Sequence, residues 1–358
     1  MVGFLLAFFL IYSGMHAVVA FRILTLVPQN LPVRLFFFAF LILMIICPIV
    51  THQLDRAGHH SLAIIPAWTG YTWMGFIFVA FCLALAFIIL ELLATGLRSF
   101  LQGWSPLLSA EIKAVLLIGM ALSIMVVGAF EARSLAVEHV RLTSPKLKNS
   151  FTLVQISDVH LGLLAGEKRV RAIRDELERI NPDILVCTGD LIDSNPESLA
   201  PVSRELKSFQ APGGKFAVTG NHEVYAGLER SRLFLQDSGF TVLDDQVWNG
   251  QGITLAGTSF RHEPACSQEE RLWSRIKPEN VVILLKHSPT VCSDSTKHFD
   301  LQLSGHTHKG QIFPFGLAVK AFFSYLAGTY PLLNDATLHV NRGTGTWGPQ
   351  VRFLAPPE

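Results

Sequence analysis

The sequence is poor in charged residues, and the shortage is concentrated at one end. Lys, Arg, Asp and Glu make up 16% of the 358 residues, whereas about 25% is usual for a soluble domain. Only eight of these charged residues lie in residues 1–130, and 49 lie in residues 131–358. This lack of charge excludes a water-soluble N-terminal third, while the remainder resembles an ordinary globular domain. The net charge of +1 gives no reason to expect a nucleic acid as partner.

Cysteine is also scarce, with five residues in the whole chain. Cys47 and Cys82 lie in apolar segments, and Cys187 lies in a run that predicts a buried strand. Cys266 and Cys292 have more polar surroundings. No spacing is typical of a disulfide framework or a zinc knuckle. We therefore expect all five thiols to be free.

Four segments lack internal charge over lengths that suit a membrane. A spanning helix needs about 20 apolar residues, within a range of about 17–25. One such segment would also be compatible with a buried core helix, but four in succession with polar connections favour membrane spans. We therefore predict transmembrane helices near residues 2–21, 33–50, 72–95 and 112–130.

The composition divides the chain into a transmembrane helical domain, a polar connector and a globular domain, at residues 1–131, 132–149 and 150–358. An even number of spans places the N-terminus and the globular domain on the same side of the membrane. Basic residues are too evenly balanced between the two sides to identify that side. We expect an integral protein of the plasma or inner membrane.

Five apolar runs in the globular domain predict strands, and each is followed by Asp, Asn or His. The runs cover residues 151–156, 184–188, 214–219, 281–285 and 299–303. In open α/β folds, loops that follow the carboxyl ends of the strands converge on a ligand crevice. The residues that we expect to meet there are Asp158, His160, Asp190, Asn221, His287, His306 and His308.

These residues lie in five short motifs whose order and separation resemble those of the calcineurin-like metallophosphoesterases. The motifs are Asp158-x-His160, Gly189-Asp190, Gly220-Asn221-His222-Glu223, His287 and Gly305-His306-Thr307-His308. The resemblance covers about residues 150–345. It implies a two-sheet β-sandwich flanked by helices, here following the four-helix transmembrane bundle. The sequence at 310–312 and 341–345 resembles a membrane-anchored subgroup, which includes bacterial phosphoesterases, UDP-2,3-diacylglucosamine hydrolases and an animal transmembrane metallophosphoesterase.

The resemblance also implies roles for the motif residues. Asp158, His160 and His308 would bind one divalent metal ion, and Asp190 would bridge it to a second. The second ion would be completed by Asn221, His287 and His306. His222 would be the acid near the leaving oxygen. Oxygen and nitrogen ligands without thiolate suit Mn²⁺, Fe²⁺/Fe³⁺ or Zn²⁺.

The expected function is hydrolysis of a phosphodiester, phosphomonoester or pyrophosphate bond. A phosphorylated small molecule or a lipid-linked compound such as UDP-2,3-diacylglucosamine would be the substrate, because substrates in the bilayer would explain the anchor. The alternative is a membrane sensor or transport module whose globular domain binds a phosphorylated ligand without turnover. The complete ligand set and the few polar residues within the helices favour the enzyme.

Three features of the sequence each allow two interpretations. His16 in the first helix suits an interhelical hydrogen bond or a proton relay. Asp193 suits a turn or a hydrogen bond that orients a histidine. The aromatic residues between 313 and 330 suit core packing or an apolar wall for an acyl chain.

Overall fold

The computed structural model describes residues 2–98, 108–193, 196–250, 252–261, 265–276 and 279–358. The chain forms two compact units. The first comprises Met1–Phe130 and Gly348–Val351, and the second comprises Glu131–Trp347 and Arg352–Glu358. The limits that we assign to the connector, residues 132–149, stay a prediction.

The described residues of the first unit form four helices that are long and apolar enough to cross a membrane: α1 (Val2–Ile23), α2 (Leu31–Arg56), α3 (His60–Arg98) and α4 (Ala110–Glu131). The helices α2 and α3 are longer than predicted, because most of residues 51–71, which lie between the two predicted spans, is helical. Pro66 lies inside α3, where neighbouring helices in a membrane can compensate for the missing backbone donor. Large apolar side chains such as Phe21 are about four-fifths exposed, as expected for surfaces that contact lipid.

His16 links α1 to α3. Its Nδ1 donates to the carbonyl oxygen of Tyr12 at 2.8 Å, and its Nε2 accepts a hydrogen bond from Trp73 Nε1 at 2.8 Å. Both ring nitrogens are therefore engaged, and the interhelical hydrogen bond that we expected is present. A buried histidine with both nitrogens satisfied stabilises helix packing in an apolar environment.

The second unit is built from two sheets. The first sheet is parallel and has the order β1 (Leu153–Ile156), β2 (Ile184–Cys187), β3 (Lys215–Ala217) and β4 (Thr241–Val242). The second sheet has the order β5-β6-β7-β8-β10-β9, with parallel pairing from β6 to β10 and antiparallel strands at both edges. Its strands are β5 (Gln246–Gly250), β6 (Ile253–Gly257), β7 (Val281–Leu285), β8 (Leu301–Ser304), β9 (Gly328–Pro331) and β10 (Thr337–Val340).

Helices flank these sheets, and the predicted fold class is confirmed. They are α5 (Glu167–Ile180), α6 (Ala200–Ser208), α7 (Asn221–Asp237), α8 (Ala265–Trp273) and α9 (Phe315–Phe322).

Side chains of β2 show how the layers pack. Successive residues of a strand point to opposite faces of the sheet. Ile184 and Val186 belong to the core between the two sheets, whereas Leu185 and Cys187 belong to the core under the helices. A strand buried on both faces is continuously apolar, which is why this run was recognisable in the sequence. The packing brings the carboxyl ends of β1, β2, β3, β7 and β8 into proximity.

The prediction that all cysteines are free is wrong for one pair. Cys266 on α8 and Cys292 after β7 form a disulfide, with their Cα atoms 5.5 Å apart. A buried hydrogen-bonded ion pair, Lys286 Nζ to Glu269 Oε1 at 2.7 Å, joins the same two segments. The pairing depends on how α8 packs against the β7 loop, and 26 residues of sequence separation did not indicate it.

Candidate metal centre

Five of the predicted ligands adopt a backbone conformation that residues other than glycine rarely occupy. Their φ angles lie between 50° and 75°, in the left-handed region. Such residues persist only where the surrounding structure holds them, and they cluster at functional sites. Each follows a strand and turns its side chain into a shared crevice. They are Asp158, His160, Asp190, His306 and His308.

The first group of ligand atoms comes from Asp158 and His160 after β1 and from His308 after β8. His160 Nε2 and His308 Nε2 are 3.0 Å apart, and His308 Nε2 is 3.3 Å from Asp158 Oδ1. Ser157 Oγ and the backbone N–H of His306 donate to Asp158 Oδ2 at 2.5 and 2.9 Å. These hydrogen bonds fix the carboxylate beside the two imidazoles.

The second group surrounds His287 Nε2. This nitrogen lies 3.2 Å from Asp190 Oδ2, 3.1 Å from Asn221 Oδ1 and 3.1 Å from His306 Nδ1. The other ring nitrogen of His287 donates to the carbonyl oxygen of Thr188 at 2.8 Å. A metal-binding histidine is commonly oriented in this way, with one nitrogen held by a carbonyl and the other directed at the ion.

Asp190 lies between the two groups. Its Oδ2 is 3.2 Å from His287 Nε2 in the second group and 4.0 Å from His160 Nε2 in the first. The other oxygen, Oδ1, accepts a hydrogen bond from the backbone N–H of His222 at 2.9 Å. One carboxylate oxygen is thus held by the backbone, while the other faces both groups. This is the position that a bridging ligand requires.

The charges of these side chains suit a cation. Burial alone would raise the pKa of Asp158, but the neighbouring imidazoles, His308 foremost, hold it well below its usual range. Burial likewise opposes ionisation of Asp190, yet His287 lowers its pKa. Burial lowers the pKa of His306 and His308 to about 4. Burial would lower the pKa of His287 as well, but Asp190 and Asp158 raise it to about 10, so a metal ion at this nitrogen would displace its proton. Ionised carboxylates and neutral imidazoles are donors that divalent transition metals bind, so these residues fit a metal centre.

His222 lies beside the two groups and bonds to Asp193. The distance from His222 Nδ1 to Asp193 Oδ1 is 2.5 Å, and His222 Nε2 is 4.0 Å from Asp190 Oδ2. Burial would lower the pKa of His222, but the two carboxylates raise it to about 9. Asp193 therefore orients a histidine, which was one of its two interpretations. Its Oδ1 is also 3.6 Å from His160 Nδ1.

Glu223 supports the candidate metal centre by hydrogen-bonding to the backbone around it. The sequence suggested no role for this residue beyond its place in a motif. The side chain is fully buried. Its Oε2 accepts hydrogen bonds from the backbone N–H groups of Asp190 and Gly220 at 2.9 and 2.7 Å, and its Oε1 accepts one from Ile192 at 3.2 Å. One carboxylate thus joins the loop after β2 to the start of α7, and so fixes Asp190 relative to Asn221.

The C-terminal segment supports the first group, and the sequence again gave little signal. Arg352 is fully buried, with Nη1 3.3 Å from the carbonyl oxygen of His308 and Nη2 3.0 Å from His308 Nδ1. Thr344 Oγ1 accepts a hydrogen bond from the backbone N–H of Ser157 at 3.1 Å. The only indication was that residues 341–345 resemble a subgroup of the family.

Aromatic side chains flank the second group. The ring centroid of His306 lies 5.0 Å from that of Phe323 and 6.3 Å from that of Phe260. Phe322, the neighbour of Phe323, is 85% exposed, and all eight residues of α9 keep some exposure. Core packing, one of the two interpretations of this aromatic segment, therefore does not account for Phe322.

Comparison with known proteins identifies the class of this site. The family model for the calcineurin-like phosphoesterases matches residues 151–310. A metallophosphoesterase of Aquifex aeolicus is 35% identical over 64% of this chain and 91% of its own length. One from Helicobacter pylori is 34% identical over 60% of this chain and 59% of its own length. A zebrafish protein named "transmembrane protein with metallophosphoesterase domain" is 29% identical over 60% of this chain and 53% of its own length.

The chain is therefore a phosphoric ester hydrolase. It belongs to the calcineurin-like metallophosphoesterases, and the prediction of an enzyme rather than a non-catalytic binding module is confirmed. Four helices of membrane-spanning length, together with relatives that are named transmembrane proteins, indicate association with a membrane. Matches to the Helicobacter and zebrafish relatives span only about half to three-fifths of those proteins.

Proposed function

We propose that this protein is an integral-membrane phosphoesterase with a binuclear metal centre, acting on a lipid-linked phosphodiester, phosphomonoester or pyrophosphate. The observation that carries the proposal is the position of Asp190. One of its oxygens faces two groups of nitrogen and oxygen ligands, each of which suits one divalent ion. Asp158, His160 and His308 would hold one ion, and Asn221, His287 and His306 would hold the other.

Two divalent ions held by these residues would supply an activated water and would stabilise the charge that develops on the phosphoryl oxygens. The protein's own contribution to bond cleavage would be a proton. Asp193 accepts the Nδ1–H of His222, which leaves Nε2 directed toward the crevice. When the P–O bond breaks, the leaving oxygen would take the proton from Nε2. A positioned acid of this kind typically contributes about 10²–10⁴-fold to the rate.

A lipid-linked substrate is supported by two features. Four membrane helices keep the catalytic domain near a bilayer, and apolar rings of Phe260 and Phe323 flank His306 at the centre. An apolar wall beside polar reacting groups suits a molecule with an acyl chain next to a phosphate. UDP-2,3-diacylglucosamine is one candidate, and the plasma or inner membrane is the proposed location.

The test uses the full chain in lipid nanodiscs with added Mn²⁺. We expect hydrolysis of bis-p-nitrophenyl phosphate, and a lower KM for a long-chain phosphodiester or for UDP-2,3-diacylglucosamine. His222→Ala should lose activity, whereas His139→Ala, at an exposed connector histidine, should not. Absence of metal-dependent turnover on every substrate would contradict the proposal. Equal KM values for soluble and long-chain substrates would contradict only its lipid-linked part.

A further inference from the structure

One surface of the second unit is unusually apolar for a domain that meets water. It consists of Phe313, Phe315, Leu317 and Phe322, and is called here the α9 surface. These side chains are 52%, 47%, 67% and 85% exposed. Single exposed apolar residues are common on soluble proteins, but a cluster of large ones marks an interaction site. Four of them within ten residues of sequence form such a cluster.

The α9 surface is attached directly to the metal-binding loop. Gly310 has a φ of +79°, and a Cβ atom there would lie 2.2 Å from the backbone nitrogen of Gly316 in α9. Thr307 Oγ1 donates to the carbonyl oxygen of Leu326, and the ring of Phe323 packs on His306. Contacts before and after α9 in the sequence therefore hold this helix against the loop. Its exposed side chains project from a helix whose position is fixed.

The stretch of sequence that carries this surface contains charged side chains of one sign only. No Asp or Glu occurs from residue 301 to residue 334, whereas this stretch contains Lys309 and the exposed Lys320. Large apolar side chains next to lysines, without acidic neighbours, are typical of helices that lie in the interface of a membrane containing anionic lipids. A surface that met only water would not need a cluster of large apolar side chains.

We propose that the α9 surface inserts into the headgroup–acyl boundary of a lipid bilayer. The chain itself supplies the reason for this partner, because its four membrane helices anchor it to a bilayer. The second unit begins at Glu131, where the membrane-length helix α4 ends, so the chain enters this unit directly after that helix. This inference is independent of the substrate, since it concerns the outward side of α9 and holds whichever phosphoryl bond is cut.

Spin labels on the full chain test the inference. Cys47, Cys82 and Cys187 are replaced by Ala, and single cysteines are introduced as Leu317→Cys or Phe322→Cys. The control is Leu233→Cys on α7, which is 60% exposed. All three introduced sites are exposed, so the melting temperature of each variant should match that of its parent. Labels are measured in nanodiscs of phosphatidylcholine and phosphatidylglycerol.

For each spin label, the collision rate with oxygen, which concentrates in the bilayer, is compared with the collision rate with a water-soluble nickel chelate. Labels at 317 and 322 should report a depth of about 5–10 Å below the headgroups, and the label at 233 should report water. Equal nickel accessibility at all three sites would overturn the proposal. Protection of 317 and 322 from both reagents would also overturn it, because it would mean that protein covers the surface. Dipolar broadening between labels would identify that protein as a second copy of the chain.

Discussion

Replacing Glu223 by Gln tests whether the hydrogen bonds of its carboxylate stabilise the loops that carry the candidate metal centre. The carboxylate accepts three backbone N–H groups, two at Oε2 and one at Oε1. A glutamine has one oxygen and one NH₂ group, and the NH₂ group cannot accept. The best orientation keeps the oxygen at the position of Oε2 and places the NH₂ against the N–H of Ile192. At least one buried donor then lacks an acceptor.

The magnitude follows from that count. One unsatisfied buried donor costs about 1–3 kcal/mol, so Glu223→Gln should lower the free energy of unfolding by that amount. Glu223→Ala leaves all three N–H groups without their acceptor and should cost about 3–9 kcal/mol. Such a loss approaches the whole stability of an ordinary domain, about 5–15 kcal/mol. The alanine variant is therefore expected to unfold at a much lower temperature than the glutamine variant.

Thermal unfolding of the full chain, followed by circular dichroism in detergent, provides the assay. The matched control is Glu229→Gln on the same helix, whose side chain is 82% exposed and whose replacement should change stability by less than about 0.5 kcal/mol. We expect the order of melting temperatures to be wild type and Glu229→Gln, then Glu223→Gln, then Glu223→Ala. If Glu223→Gln and Glu229→Gln melt together, the three hydrogen bonds do not support the loops as described.

Three further predictions concern the centre. His222→Ala should keep its metal content but lose about 10²–10⁴-fold in rate, with a smaller loss for substrates whose leaving group needs no proton; an emptied metal position would contradict the acid role. Removing metal with EDTA should lower both activity and melting temperature, because the buried carboxylates lose their counter-charge, and Mn²⁺ should restore both; an unchanged melting temperature would contradict this. Phe323→Ser should raise KM more for a long-chain substrate than for bis-p-nitrophenyl phosphate; equal losses with a lowered melting temperature would favour a packing role.

Short-range patterns in the sequence predicted those helices and strands whose burial pattern is visible within a single segment. In α5 the buried side chains Val170, Ile173 and Leu177 recur on one face, at the three- and four-residue spacing that indicates a helix in sequence. Continuously apolar runs identified β1, β2, β3, β7 and β8 for a similar reason. The strands β4, β5, β6, β9 and β10 were not predicted. Of these, β4 and β9 are short and lie at sheet edges with exposed residues, whereas β6 and β10 lie inside the second sheet. The helix α3 begins at His60, earlier than the span predicted near residues 72–95, and continues through Pro66.

The sequence placed the predicted ligands at strand ends, and the fold brings them together. The sequence could not predict contacts between residues that lie far apart along the chain. The role of Arg352 became recognisable only when its Nη1 was seen against the carbonyl oxygen of His308, 44 residues away. The pairing of Cys266 with Cys292 likewise depends on where α8 packs. The exposure of Phe322 is also a property of the folded chain, because an aromatic residue in a sequence suits a core equally well.

The metal content and activity of Asp190→Asn, measured on the same purified full-length sample, test the central claim most directly. We expect loss of most bound metal together with a rate loss of at least about 10³-fold, because a shared carboxylate ligand would hold both ions. Asp175→Asn, at a carboxylate on α5 that is 59% exposed, should keep both properties. A folded Asp190→Asn protein with near-normal turnover and full metal content would contradict the assignment of a bridged, two-metal centre.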